Sequence, residues 1–108
     1  MASVAATDRL IDGSPEVAAA AIRAIVKTQA ALRADPGRAA EVGRKLFPSA
    51  EAALIADLIR RDLPFYDAAI SPEFVAGMSQ FARDLGILNG EAPYEQVVAT
   101  RFAHLWKA

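Results

Sequence analysis

The fold is decided by the stretch SPEVAAAAIRAIVKTQAALR, residues 14–33. Ser14, Pro15 and Glu16 are residue types that open an α-helix: a serine N-cap, a first-turn proline, and an acid near the positive end of the helix dipole. Side chains at helical spacing follow them, namely Val17, Ala21, Ile25, Thr28 and Leu32. The spacing predicts a helix over residues 15–33 with these side chains on its apolar face.

Two shorter helices are predicted next. Asp35-Pro36-Gly37 ends the first helix and caps a second one that ends near Phe47-Pro48, because the residue before a proline is pushed out of the helical region. Its apolar edge comprises Ala39, Val42, Gly43 and Leu46. Ser49 is predicted to cap a third helix over residues 50–61.

The third helix has two possible buried faces. One comprises Ala53, Leu54, Asp57, Leu58 and Arg61. The other comprises Leu54, Ile55, Leu58 and Ile59. We prefer the second face because it buries no charged group.

A repeated cap, Ser71-Pro72-Glu73, opens the fourth helix. Its amphipathic stripe is the best in the chain and comprises Phe74, Val75, Met78, Phe81, Ala82 and Leu85. Gly86 occupies the position of a left-handed C-terminal cap. A final helix is predicted after Pro93, marked by Tyr94, Val97, Val98, Phe102, Leu105 and Trp106.

These helices define the predicted fold class. No segment alternates in hydropathy with β-branched enrichment, so we predict an all-α chain, a small bundle of about five helices. We expect one helical unit over residues 1–108, with 1–13 as a lead-in segment and 14–108 as the helices. Within the lead-in, residues 7–11 fit a short capped turn of helix, and residues 3–6 fit an extended segment equally well. Alanine buries little area, so the core is expected to rest on the larger apolar residues.

Composition excludes several classes of function. The net charge is −1 and Lys and Arg are not clustered, which argues against a nucleic-acid partner. The chain has no cysteine, and therefore no disulfide, thiolate nucleophile or cysteine metal site. The first eight residues lack the basic and apolar regions of a signal peptide. No apolar stretch has the length of a membrane span.

Candidate catalytic residues are also scarce. His104 is the only histidine, and on a helix its neighbours one turn earlier are Thr100 and Arg101, neither of which serves as nucleophile or orienting carboxylate. We interpret it as a structural residue. The sequence shows no glycine-rich phosphate loop and no convincing metal-ligand set. We therefore predict no catalytic residues, no metal site and no cofactor, and expect that the chain is not an enzyme.

Several short motifs, taken in order, carry a family resemblance. They are ATDRLI at 6–11, SPEV at 14–17, ADPGRAA at 34–40, ISPE at 70–73, FARDLGIL at 81–88 and PYE at 93–95. In this order and spacing the chain resembles the C-terminal segment of periplasmic solute-binding proteins of ABC importers, in the subfamily for nitrate, sulfonate, taurine and thiamine precursors. The resemblance covers nearly the whole chain.

The resemblance implies a fold context and a function. Members of the family are type II periplasmic binding proteins, in which two α/β lobes close on a ligand and dock on a membrane permease. Their C-terminal part is helical and packs on the first lobe. By resemblance, this chain is a non-catalytic part of a protein for uptake of a small anionic or heterocyclic solute, with a periplasmic location. Its implied partners are the parent α/β lobe and the ABC permease, and the solute is bound only by the full-length protein.

The resemblance also implies a candidate site and an exposed surface. Thr7 and Asp8 lie nearest to where the family's chain crosses between the lobes, so they are the candidate ligand-binding residues. Apolar surface is expected where the parent sheet would pack, and self-association through it is possible. The alternative interpretation is an independent helical module that binds a protein partner through an amphipathic groove. It predicts a complete core and one modest exposed patch.

Overall fold

The computed structural model describes residues 3–107, and all the regular structure in that range is helical. The α-helices are α1 (Asp8–Gly13), α2 (Pro15–Ala34), α3 (Gly37–Leu46), α4 (Ser49–Asp62), α5 (Pro72–Asp84) and α6 (Tyr94–Val97). Short 3₁₀ helices span Leu63–Phe65 and Thr100–Leu105. The prediction of an all-α chain with the character of a small helical bundle is confirmed.

The chain packs as two compact units, where the sequence led us to expect one unit over residues 1–108. The first comprises residues 3–66 and the second comprises residues 67–107. The boundary follows the 3₁₀ helix Leu63–Phe65, in the aromatic connector between α4 and α5.

The first unit is built on close packing of α3 against α4. Ala39 and Gly43 of α3 and Ala52 of α4 are buried at the crossing, and small side chains let the two backbones approach closely. A Cβ placed on Gly43 would lie 3.3 Å from the Cβ of Ala52, which is tighter than ordinary van der Waals contact. At the C-terminal end of α2, the guanidinium of Arg33 donates a hydrogen bond to the carbonyl oxygen of Tyr66.

The predicted apolar face of α2 was wrong except at Leu32, which is half-buried. Val26 is the buried residue of this helix, whereas Val17 and Ile25 are exposed. The half-buried positions that accompany Val26 are Ala18, Ala19, Ile22, Gln29, Ala30, Ala31 and Leu32. Because α2 carries alanine or a larger apolar residue on most sides, its periodicity fits more than one face, and packing decides between them.

The buried face of α4 differs from both alternatives. Ala52 and Ala56 are buried, and Ile55 and Ile59 are half-buried beside them. The preferred face was right in its two isoleucines and wrong in Leu54 and Leu58, which are exposed. The other alternative fails because Asp57 and Arg61 are also exposed. Alanines occupy the buried face of α4 because its contact with α3 requires a short distance between the helix axes.

The three serine caps behave differently from one another. The Ser71 hydroxyl accepts a hydrogen bond from the Phe74 N–H at 3.0 Å, as a capping serine does. Ser14 holds the N-cap position of α2, but its side chain makes no capping hydrogen bond. Ser49 is the first residue of α4 and Pro48 is its N-cap, so the prediction that Ser49 caps this helix was wrong.

The second unit begins with α5, which ends as predicted. Gly86 adopts a left-handed conformation with φ of +74°. Its N–H bonds the carbonyl of Arg83 at 3.0 Å, and the N–H of Ile87 bonds the carbonyl of Ala82 at 2.9 Å. This pair of bonds is the Schellman motif, and it satisfies carbonyls that the end of a helix leaves open.

The final helix is broken, in contrast to the single helix that was predicted. Only Tyr94–Val97 is α-helical; Val98 is extended (φ −112°, ψ 128°), and a 3₁₀ helix follows over Thr100–Leu105. Consecutive β-branched residues are weak helix formers, and a four-residue helix holds few bonds of its own. The Tyr94 hydroxyl donates a 2.5 Å hydrogen bond to the carbonyl of Ile70, which ties this segment to the start of α5.

The core is small and combines alanines with larger apolar residues. Among the described residues the buried apolar side chains are Val26, Ala39, Ala52, Ala56, Val75, Val98 and Phe102. Three of these seven are alanine, and the other four are valines and a phenylalanine, which belong to the larger apolar residues on which the core was expected to rest. Among the described residues, sixteen of the larger apolar side chains are exposed.

Candidate functional site

The sequence-predicted site residues lie at the start of α1. Thr7 is the N-cap of this helix, and its Oγ1 accepts a hydrogen bond from the Leu10 N–H at 3.2 Å. Asp8 is exposed in the first helical turn, where its negative charge is favourable next to the positive end of the helix dipole. Local helix capping therefore accounts for both residue types without any ligand.

An open depression of about 380 Å³ lies beside this helix. Its lining residues are Thr7, Arg9, Leu10, Gly13 and Ser14. The structure brings Thr7 to this depression and leaves Asp8 outside its lining. Arg9, Thr7 and Ser14 add groups that can donate hydrogen bonds to an anion, beside the apolar side chain of Leu10.

A second depression, of about 290 Å³, follows the crossing of α3 and α4. Its lining residues are Ala40, Arg44, Ser49, Ala52, Ala53, Ala56, Asp57 and Arg60. Alanine methyl groups contribute apolar surface, while Arg60 pairs with Asp57 at 3.1 Å. Sequence reasoning missed this groove because Arg44 and Arg60 meet only once α3 packs on α4, and neither residue stands in a motif.

One charged pair has a shifted pKa. Arg61 donates to both carboxylate oxygens of Asp62, at 2.8 and 3.2 Å. This hydrogen bonding lowers the pKa of Asp62 below its ordinary value and raises the pKa of Arg61. Both side chains are exposed, so the pair is screened by solvent and has no acid–base role in a cleft.

The other chemically active side chains are dispersed. His104 is exposed on the 3₁₀ helix Thr100–Leu105. Within residues 3–107 no three carboxylate, histidine or cysteine side chains come together as a metal-ligand set. Among the helices in the same range, none combines the length and the hydropathy that a membrane span requires. Phe65 is 83% exposed and lines neither depression.

The most extensive surface feature is apolar. In the first unit the exposed large apolar side chains are Val4, Leu10, Val17, Ile25, Val42, Leu46, Phe47, Leu54, Leu58 and Phe65. In the second unit they are Phe74, Met78, Phe81, Leu85, Ile87 and Val97. Of the six residues in the amphipathic stripe predicted for the fourth helix, Val75 is buried and Ala82 is half-buried. The other four, Phe74, Met78, Phe81 and Leu85, are exposed.

Comparison with known proteins adds no relative: no protein-family profile, curated protein or solved structure matches this chain.

Proposed function

We propose that this chain is a non-catalytic helical segment that completes a larger body, as the C-terminal part of a solute-binding protein for an ABC importer. In this role its exposed helix faces pack on an α/β lobe. The lobe belongs to the same protein, and the assembled protein captures a small anionic or heterocyclic solute. The order of the motifs at 6–17, 34–40, 70–73 and 81–95 supports the choice of protein class.

The observation that carries the proposal is an excess of surface. The chain has 8001 Å² of accessible surface for a mass of 11.5 kDa. One compact body of this mass is expected to expose about 5,800 Å², and two separate compact bodies that share it about 7,000 Å². The excess therefore remains, at about 1,000 Å², even when the two units are counted as separate.

Large apolar side chains contribute to the exposed surface of both units, which favours a missing partner surface. Leu46, Leu54, Phe65 and Ile87 are each more than half exposed. Contiguous apolar patches above a few hundred Å² are rare on proteins that function as monomers, and they mark interaction surfaces.

In the assembled protein, Thr7 and Asp8 are the residues that the proposal assigns nearest to the ligand cleft. Thr7 and Arg9 line the same open depression, so a solute that approaches here meets a hydroxyl and a guanidinium. Neither Thr7 nor Asp8 is enclosed, and the rest of a binding site would have to come from the parent lobes.

The proposal is tested by hydrophobic-dye fluorescence of the chain at concentrations where it is monomeric. We expect strong enhancement, because the exposed side chains occur on both units. Replacing Leu54, Phe65 and Ile87 with glutamine is expected to reduce it clearly without loss of helical circular dichroism. Enhancement no greater than that of a compact helical protein of the same mass would count against the proposal.

A second candidate function, an independent helical interaction module, is favoured by the groove between α3 and α4. This groove lies on a closely packed helix pair and combines alanine methyl groups with the guanidiniums of Arg44 and Arg60. An amphipathic helix with acidic residues would match that chemistry. Low dye binding, together with loss of partner binding in Arg44→Ala, would favour this module over the solute-binding segment.

A further inference from the structure

We propose that the chain pairs with a second copy of itself through the exposed stripe of α5, which comprises Phe74, Met78, Phe81 and Leu85. This inference goes beyond the proposed function and does not depend on it, because it concerns one helix of the second unit. Strong dye fluorescence can be observed for a chain that does not dimerise, and a chain that dimerises can bind little dye. The proposed function and the pairing are therefore tested separately.

The stripe has the geometry of a helix-pairing seam. Its members are spaced by four, three and four residues, which places all of them within an arc of about 60° on a helix with 3.6 residues per turn. A seam this narrow matches a second helix, whereas packing on a globular core uses an arc of about 100° or more. A second helix therefore fits the exposed part of this stripe.

The rest of α5 is consistent with such a seam. Val75 is buried and Ala82 is half-buried, so the helix already uses a different edge for packing in its own unit. Gly77 borders the seam and has open space around its Cβ position. Small residues at the border allow two helix backbones to approach closely.

The spacing also points to a particular partner, a second copy that runs antiparallel. The order four, three, four is the same in both directions, so a two-fold axis between residues 79 and 80 superimposes the seam on itself. Phe74 then meets Leu85 of the other copy, and Met78 meets Phe81. Such an isologous contact is the commonest arrangement in homodimers, and opposed helix dipoles favour it.

The area is sufficient for a weak dimer. The four side chains are 39, 51, 58 and 58% exposed. With side chains on the order of 200 Å² each, the seam and the neighbouring exposed Ile87 offer about 550 Å² per copy. The total of about 1,100 Å² just passes the roughly 1,000 Å² that a specific interface needs and stays below the typical 1,600 Å². The dimer is therefore expected to dissociate in the micromolar range or above.

The first test is sedimentation equilibrium over a wide range of concentration. Phe81→Glu is expected to raise the dissociation constant of the dimer at least about tenfold, because a two-fold contact loses the side chain in both copies. The matched control is Leu54→Glu in α4, since Leu54 is 59% exposed and lies outside the seam. The control is expected to change the dissociation constant less than about twofold, within the range of surface substitutions.

Three outcomes would overturn the pairing. The first is a monomer at all concentrations up to about 1 mM, which is above the range of specific contacts of this size. The second is an equal change in the dissociation constant for Phe81→Glu and Leu54→Glu. The third is a dissociation constant that neither substitution changes. Circular dichroism checks that both variants keep their helices, and Phe81→Gln replaces Phe81→Glu if the charge unfolds α5.

The dependence of the dissociation constant on salt concentration provides a second measurement. Antiparallel pairing brings Glu73 near Asp84 of the other copy, so added salt is expected to strengthen the dimer.

The orientation is tested with one spin label, because the chain contains no native cysteine. A label on Glu73→Cys is separated from its counterpart by about 20 Å along the axes of an antiparallel pair, at 1.5 Å per residue. A parallel pair would place the two labels side by side. A short label-to-label distance would overturn the antiparallel pairing.

Discussion

Ser71 and Ser14 stand in the same local sequence, Ser-Pro-Glu, but differ in their capping hydrogen bonds. Both precede Pro-Glu and both hold an N-cap position, yet only the Ser71 hydroxyl reaches a backbone N–H, that of Phe74. The backbone explains the difference. Ser71 has the extended φ and ψ of a capping residue, −79° and 151°, whereas Ser14 follows directly on α1 with φ −141° and ψ 61°.

A pair of alanine substitutions tests this difference. Ser71→Ala is expected to lower the free energy of unfolding by about 1 kcal/mol, because the Phe74 N–H loses its partner. Ser14→Ala serves as the matched control and is expected to have little effect, since no capping hydrogen bond is lost. The comparison is made by urea unfolding of the two variants, and equal losses would contradict the account of the caps.

Asp62 provides a residue-scale prediction in pH. Because its folded pKa is lowered by the Arg61 hydrogen bonds, its contribution to stability is present above the unfolded pKa and is lost as the pH falls through the folded pKa. Arg61→Ala is expected to raise the Asp62 pKa back toward its ordinary value, as measured by carboxyl NMR titration. Arg60→Ala, which breaks the neighbouring pair with Asp57, is expected to leave the Asp62 pKa unchanged.

At the scale of the element, the sequence predicted the existence of helices better than their faces. The positions of proline, glycine and serine predicted the ends of α2, α3, α4 and α5 to within a residue or two of the observed ends. The buried sides of α2 and α4 were not predicted, because the close approach of α3 and α4 selects alanine over leucine. Only tertiary packing reveals that Gly43 faces Ala52, so hydropathy ranked the wrong side chains as core.

The α3–α4 crossing is tested by adding volume at Gly43. Gly43→Leu is expected to lower the free energy of unfolding by about 1–3 kcal/mol, because its side chain must displace α4 at Ala52. Gly13→Leu, at the end of α1, is the control because nothing lies within 4 Å of its Cβ position. Thermal unfolding of both variants measures the effect, and a Gly43 variant as stable as the Gly13 variant would refute the close crossing.

The candidate sites also differ in whether local sequence or the packing between helices reveals them. Thr7 was found from sequence because it sits beside a recognisable motif, and its local role as a cap follows from the same stretch. The groove that joins Arg44 to Arg60 was not found, since those residues meet only through the packing of two helices. The exposure of the α5 stripe was likewise invisible, because periodicity identifies an apolar face but not what covers it.

At the scale of the whole molecule, the small alanine-rich core and the excess of surface have one common cause. Side chains such as Leu54 and Phe65 do not find burial within the described residues, although 54% of the sequence is hydrophobic. A lobe that packs on these helices would bury this surface and supply the missing part of the core. That is the physical link between the fold and the proposed role as part of a solute-binding protein.

The most direct test of that role is the coding DNA upstream of Met1, read in frame. The account predicts an open frame that continues into two α/β lobes of a solute-binding protein, preceded by a signal peptide. A stop codon with a ribosome-binding site immediately before Met1 would contradict it and would favour a stand-alone interaction module.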